Sequence, residues 1–125
     1  MKYVFILLIV LLSCHLQSHA QVKIGSDAPE IKLPDSLGKW KPLSEIKSKL
    51  ILIDFWAAWC YPCIKSMPDL KRIYEQYHSK GLEIYAVSLD RDYRNWVATC
   101  QRLQLPFIHV NDAYGFNGNA CQKYN

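Results

Sequence analysis

The chain has 125 residues, half of them hydrophobic and 21% charged, which suits a single folded domain. Its formal net charge of +4 is mild and spread along the sequence, which contains no repeats or low-complexity tracts. This charge predicts no nucleic-acid binding, since nucleic-acid binders carry a basic stripe or a strongly basic domain.

The amino terminus has the pattern of an export signal. Lys2 gives a short charged start, and the apolar run over residues 3–12 is too short to span a bilayer comfortably. Small residues at 18–20 predict cleavage after Ala20. Residues 1–20 are therefore predicted to be a signal peptide and residues 21–125 an exported domain, in the periplasm or cell envelope of a bacterium.

Cys14 offers an alternative to this cleavage. Residues 11–14, Leu-Leu-Ser-Cys, resemble a lipoprotein box, in which Cys14 would carry lipid and tether the chain to a membrane. The leucine before Ser13 fits that box less well, so a soluble exported protein is favoured over a lipid-anchored one.

The segment after the signal alternates extended and turn patterns. Residues 22–34 read as extended, with a short strand near residues 31–33. Turn-forming residues over 35–39 predict a hairpin leading to Trp40, and residues 44–46 predict a short helical turn.

The run at residues 50–55 predicts a buried strand that delivers Cys60 and Cys63 to the start of a helix. Pro62 sits early enough to initiate that helix, which is expected from about Tyr61 to His78. The helix start favours an anion, so the pKa of the Cys60 thiol is expected to be lowered. One turn on, Cys63 can attack a mixed disulfide formed at Cys60.

The remaining elements continue the alternation. Gly81 is expected to end the helix, and residues 82–89 form the next strand, joined to the first by a parallel crossover. A second helix is expected over residues 90–103, capped by Asp90 or Asp92. A short extended piece at 106–110 and a helical turn at 120–124 complete the chain.

The other cysteines and histidines do not form a recognisable metal site. Cys100, Cys121, His78 and His109 lack the paired spacing of a structural zinc site, so no metal is predicted. A static disulfide between Cys60 and Cys63 is disfavoured, because so short a loop stabilises a fold only weakly. Cys100 and Cys121 remain open as a second disulfide, as separate thiols or as a relay to the first pair.

Residues 54–63, Asp-Phe-Trp-Ala-Ala-Trp-Cys-Tyr-Pro-Cys, together with Pro68, resemble the thioredoxin superfamily. With the export signal and the run at residues 25–30, the chain looks most like exported TlpA-like or ResA-like thiol:disulfide oxidoreductases of the redoxin group, related to AhpC/TSA proteins. The resemblance implies an α/β thioredoxin-like fold in which helices flank a central mixed sheet.

The resemblance also implies roles for individual residues. Cys60 would be the nucleophile and Cys63 the resolving thiol, while a buried Asp54 would accept the proton leaving Cys63. A bland alternative makes Asp54 a carboxylate that caps the strand end. Four further residues are expected to surround the pair. Trp56 and Trp59 would pack beside it, and Tyr61 and Pro62 would tune its redox potential and its choice of partner.

The same resemblance implies that the chain reduces disulfides in proteins of the cell envelope. It also implies that a membrane thiol donor keeps the cysteine pair reduced and that no cofactor is needed. A peroxidase of this fold is disfavoured, because Ala57 stands where such enzymes carry threonine. The chain ends at Asn125, before the family's C-terminal β-hairpin and last helix, so an incomplete domain is expected. The alternative function is a non-catalytic fragment or binding module.

Overall fold

The structure is a computed structural model that describes residues 22–124. The predicted signal peptide over residues 1–20 and the alternative lipid site at Cys14 lie outside these residues. The strands and helices, in chain order, are β1 (Lys32–Pro34), β2 (Trp40–Pro42), β3 (Leu50–Trp56), α1 (Tyr61–Tyr77), β4 (Leu82–Ser88), α2 (Tyr93–Leu103), β5 (Ile108–Asn111) and α3 (Asn119–Tyr124). Short 3₁₀ turns lie at Leu43–Glu45, His78–Lys80 and Gly115–Asn117.

The central sheet has the strand order β3-β4-β5, and both pairings are parallel. The predicted parallel crossover from β3 to β4 is confirmed, with Leu50 opposite Leu82 and Trp56 opposite Ser88. β1 and β2 pair antiparallel in a sheet of their own. A mixed sheet contains both parallel and antiparallel pairings. In the described residues, the parallel pairings lie in the central sheet and the antiparallel pairing lies in the separate sheet of β1 and β2.

The central sheet separates two apolar clusters, because alternate residues of a strand point to opposite faces. One face packs against the helices α1 and α2, through a cluster that includes Met67, Trp96 and Ile84. The other face packs against the N-terminal hairpin and α3, through a cluster that includes Ile31 and Ala120. The molecule therefore has three layers, with the sheet in the middle.

Helix α1 begins and ends where the sequence predicts. Pro62 lies in its first turn, where its missing N–H is no loss, and Pro68 lies inside the helix. A 3₁₀ turn follows, and Gly81 then takes the left-handed conformation with φ 103°. The Lys71 ammonium donates to the Leu103 carbonyl at 3.1 Å and ties α1 to the end of α2.

The start of α2 resolves the predicted choice between two caps. Asp92 is the N-cap, and its carboxylate accepts the backbone N–H groups of Arg94 and Asn95 at 3.0 and 3.2 Å. Asp90 lies instead before the helix and is buried, at 1% exposure. Helix α2 therefore begins two residues later than a cap at Asp90 would place it.

Tyrosine hydroxyl groups tie the N-terminal segment to the sheet and to α3. Tyr85, in β4, donates to the Lys41 carbonyl at 2.6 Å, and Tyr124, in α3, donates to the Pro29 carbonyl at 2.6 Å. Within the described chain, no helix combines the length and apolar character that crossing a membrane requires.

Candidate functional site

The paired cysteines lie where β3 turns into α1. Cys60 is the N-cap of α1, with φ −82° and ψ 94°, and its sulfur accepts the Cys63 N–H at 3.4 Å. The two residues are joined by a disulfide, and their Cα atoms are 5.2 Å apart. The sulfur of Cys60 therefore occupies the position at which a helix start stabilises negative charge.

Exposed aromatic side chains surround the pair. Trp59 and Tyr61, on either side of Cys60, are 58% and 67% exposed. The Trp59 ring lies 6.1 Å from the ring of Phe116, which is itself 70% exposed. The Lys65 ammonium lies 5.0 Å above the Tyr61 ring. An apolar surface with one cationic edge thus adjoins the disulfide.

Trp56 differs from Trp59 in its environment. It is 1% exposed and belongs to the cluster beneath α1, against which Cys63 also packs. Its indole N–H has no hydrogen-bond partner among the described residues. Trp56 therefore lies inside the cluster against which Cys63 packs, whereas Trp59 contributes to the surface.

Asp54 lies in β3 and is partly buried. It alternates with Leu52 and Trp56, which both pack on the α1 side, so its side chain points to the same layer as Cys63. Burial raises the pKa of the Asp54 carboxyl, because the charged form loses hydration. The structure therefore places a carboxyl of raised pKa under the helix that carries the pair.

Cys100 and Cys121 are both free thiols in the structure. Cys100 packs in the cluster under α1 and α2, whereas Cys121 packs on the other face of the sheet. The second disulfide that the sequence left open is therefore not formed. The pKa of Cys100 is raised to about 12, mainly by burial and to a smaller extent by the charge of Asp90. Burial and then Asp112 raise the pKa of Cys121.

Two neighbours of the pair have no signal in the sequence pattern. Phe116 sits in a glycine- and asparagine-rich stretch and reaches Trp59 only through the fold. The sequence pattern predicts Asp90 only as a candidate helix cap, yet its carboxylate accepts the Ala58 N–H just before the pair. Over residues 22–124, no group of three or more acidic, cysteine or histidine side chains is placed to hold a metal ion.

Comparison with known proteins assigns this arrangement to a family. The AhpC/TSA family model matches residues 24–125, which is most of the chain. The chain belongs to the AhpC/TSA family. Among curated proteins, it is 39% identical over 70 residues to the thiol-disulfide oxidoreductase ResA of Bacillus thuringiensis (strain Al Hakam), covering 56% of this chain and 40% of that protein. It is 34% identical over 91 residues to ResA of Geobacillus thermodenitrificans, covering 73% of this chain and 52% of that protein.

Solved structures agree with this family membership. The thioredoxin domain of a thiol-disulfide oxidoreductase from Bacteroides vulgatus matches with a TM-score of 0.74 and 30% identity, over 82% of this chain and 74% of that one. A thiol-disulfide oxidoreductase from Bacteroides fragilis matches with a TM-score of 0.70 and 25% identity, over 78% of this chain and 74% of that one. The predicted thioredoxin-like fold is therefore confirmed. The chain spans about half or less of the length of these ResA relatives.

Proposed function

We propose that this chain exchanges disulfides with protein substrates through the Cys60–Cys63 pair. The observation that carries the proposal is the position of Cys60, whose sulfur caps α1 and accepts the Cys63 N–H. A helix start favours the thiolate, which is the attacking species in exchange. Two further observations support the same chemistry. Relatives of the chain are named thiol-disulfide oxidoreductases, and the thioredoxin-like fold is confirmed.

The first step forms a mixed disulfide. The Cys60 thiolate attacks one sulfur of the substrate disulfide, a Cys60–substrate bond forms, and the substrate's second sulfur leaves as a thiolate that takes up a proton. The exposed Trp59 and Tyr61 rings flank the attacking sulfur and offer an apolar surface to the chain that carries the disulfide.

The second step regenerates the disulfide seen in the structure. Cys63 loses its proton and attacks the Cys60 sulfur, the bond to the substrate breaks, and the substrate leaves with two reduced sulfurs. Asp54 is our candidate for accepting the Cys63 proton through a water, since it points into the layer where Cys63 packs and burial raises its pKa. Two electrons have then passed from the cysteine pair to the substrate, and no further cofactor is needed.

The direction and the partners complete the proposal. We place residues 21–125 in the periplasm or envelope of a bacterium, as a redox domain released from the signal at residues 1–20, with lipidation of Cys14 as the alternative attachment. There it would reduce envelope protein disulfides and be reduced in turn by a membrane thiol donor. The export pattern of the sequence and the likeness to ResA proteins support this placement.

The test is reduction of the disulfides of insulin by dithiothreitol, with and without the full chain from Gln21. The wild-type chain should accelerate the reaction, and Cys60→Ser should abolish the acceleration. Reduced Cys63→Ser, freed of dithiothreitol and mixed with insulin, should stop at a mixed disulfide between Cys60 and insulin, which mass analysis detects. Cys100→Ser is the matched control and should behave as wild type. A folded wild-type chain without acceleration, or an active Cys60→Ser variant, would overturn the proposal in favour of a non-catalytic module.

A further inference from the structure

The residues that follow β4 lie beneath the turn that precedes Cys60. The Leu89 N–H donates to the Trp56 carbonyl at 2.8 Å, which brings the two segments side by side. Asp90 then accepts the Ala58 N–H at its two carboxylate oxygens, at 2.9 and 3.1 Å. Within the turn, the Cys60 N–H donates to the Ala57 carbonyl at 3.0 Å. Asp90 therefore holds the turn whose last residue is the helix cap.

A buried network fixes the Asp90 carboxylate. The Ser88 hydroxyl donates to it at 2.8 Å, and the Ser88 oxygen accepts the Asp90 N–H at 3.1 Å. The Asn111 amide donates to the same hydroxyl oxygen at 3.1 Å and to the Asp90 carbonyl at 2.9 Å. All three residues are buried at the carboxyl ends of β4 and β5. The sheet itself thus sets the position of the carboxylate.

The buried Asp90 carboxylate is a strong acceptor for the backbone of the turn. Removing a carboxylate from water is unfavourable unless hydrogen bonds compensate, and here they come from the Ala58 N–H and the Ser88 hydroxyl. A charged acceptor binds an N–H about twice as strongly as a neutral one. The arrangement therefore restrains the segment that presents the Cys60 sulfur.

We propose that Asp90 is a positioning residue which, by binding the Ala58 N–H, holds the turn over residues 57–60 so that the Cys60 sulfur is ready to attack. The effect acts through the backbone of the turn. The inference rests on the proposed function for its meaning, but it can be tested on the reactivity of Cys60 alone.

Two substitutions at Asp90 separate positioning from charge. Asp90→Asn keeps one side-chain oxygen, which can still accept the Ala58 N–H and the Ser88 hydroxyl. Asp90→Ala removes the acceptor and leaves the Ala58 N–H unsatisfied. If positioning matters, the asparagine variant retains the reactivity that the alanine variant loses.

Asp112 provides a matched control at the end of β5. It is 3% exposed and accepts the N–H groups of Tyr114 and Ala120, each at 3.3 Å. Neither donor belongs to the turn before Cys60. Asp112→Ala therefore removes a buried carboxylate acceptor of the same kind without releasing that turn.

The experiment measures the rate at which iodoacetamide alkylates Cys60 in the fully reduced chain at neutral pH, followed by peptide mass analysis. Circular dichroism first confirms that each variant is folded. Asp90→Ala should lower the rate by about tenfold, since small misplacements of a reacting group have large effects, while Asp90→Asn and Asp112→Ala should stay within about threefold of wild type. Equal rates for Asp90→Ala and Asp112→Ala, or an asparagine variant as slow as the alanine variant, would overturn the proposal.

A second variant covers the case in which Asp90→Ala does not fold. Ser88→Ala removes the hydroxyl that orients the carboxylate and should slow Cys60 alkylation by about fivefold, whereas a rate within about threefold of wild type would refute the positioning role. Insulin reduction is measured in parallel on the wild-type chain. If the wild-type chain does not reduce insulin although its Cys60 is alkylated at a normal rate, the proposed function fails. A change in the Cys60 alkylation rate among the variants bears only on the role of Asp90.

Discussion

Cys60 combines a structural and a chemical role, and two substitutions should separate them. Its sulfur caps α1 by accepting the N–H of Cys63, the third residue of the helix. Serine is among the best residues at this position, and alanine cannot accept the bond. Both Cys60→Ser and Cys60→Ala should abolish disulfide exchange, but under reducing conditions the serine variant should be more stable by about 1 kcal/mol.

The magnitude follows from one cap hydrogen bond and is measurable. For a domain of this size, a difference of about 1 kcal/mol corresponds to about 4–8 °C in Tm. Urea unfolding of both variants with excess reductant gives the free energy of unfolding directly. The matched control is Cys100, which lies inside α2, where serine should be no better than alanine because alanine is the stronger helix former. Equal stability of the two Cys60 variants would refute the cap, and with it our reason for thiolate formation at Cys60.

Three further results are expected. Burial raises the pKa of Asp54, so its ionised form, the form able to accept a proton, is lost as pH falls through that raised value. The rate of disulfide exchange by the wild-type chain should therefore decline in that pH range. Asp54→Asn should be slow at all pH values and should not show this decline. A variant with the same pH profile as wild type would count against Asp54 as the proton acceptor. Cys100, with a pKa of about 12, should resist iodoacetamide in the folded chain near neutral pH and react after unfolding, as peptide mass analysis can show. Met67→Ala, on the buried face of α1 at a position 1% exposed, should lower the free energy of unfolding by about 2–5 kcal/mol, and a loss below about 1 kcal/mol in a urea titration would contradict close packing there.

Much of the fold was predictable because its signals are local. The apolar run of β3, the proline in the first turn of α1 and the glycine at position 81 each mark a boundary through short-range physics. The paired cysteines were predictable for the same reason, since a strand followed by a helix places them at the helix start.

The remaining features depend on contacts between distant parts of the chain. Asp90 and Asp92 are equally good caps by composition, and what distinguishes them is that Asp90 is buried and accepts the Ala58 N–H from a distant part of the chain. The spacing of Cys100 and Cys121 does not reveal that a sheet lies between them. The contact of Phe116 with Trp59 joins a turn after β5 to the turn before α1, and no local pattern encodes it.

The two-sided packing of the central sheet gives the cysteines of the pair different surroundings. Cys60 touches the cluster shared with the hairpin and α3, whereas Cys63 touches the cluster shared with α1 and α2. Substitutions in one layer therefore reach one sulfur without directly disturbing the other. The surroundings of the attacking thiol and of the resolving thiol can therefore be altered separately, by substitutions on opposite sides of the sheet.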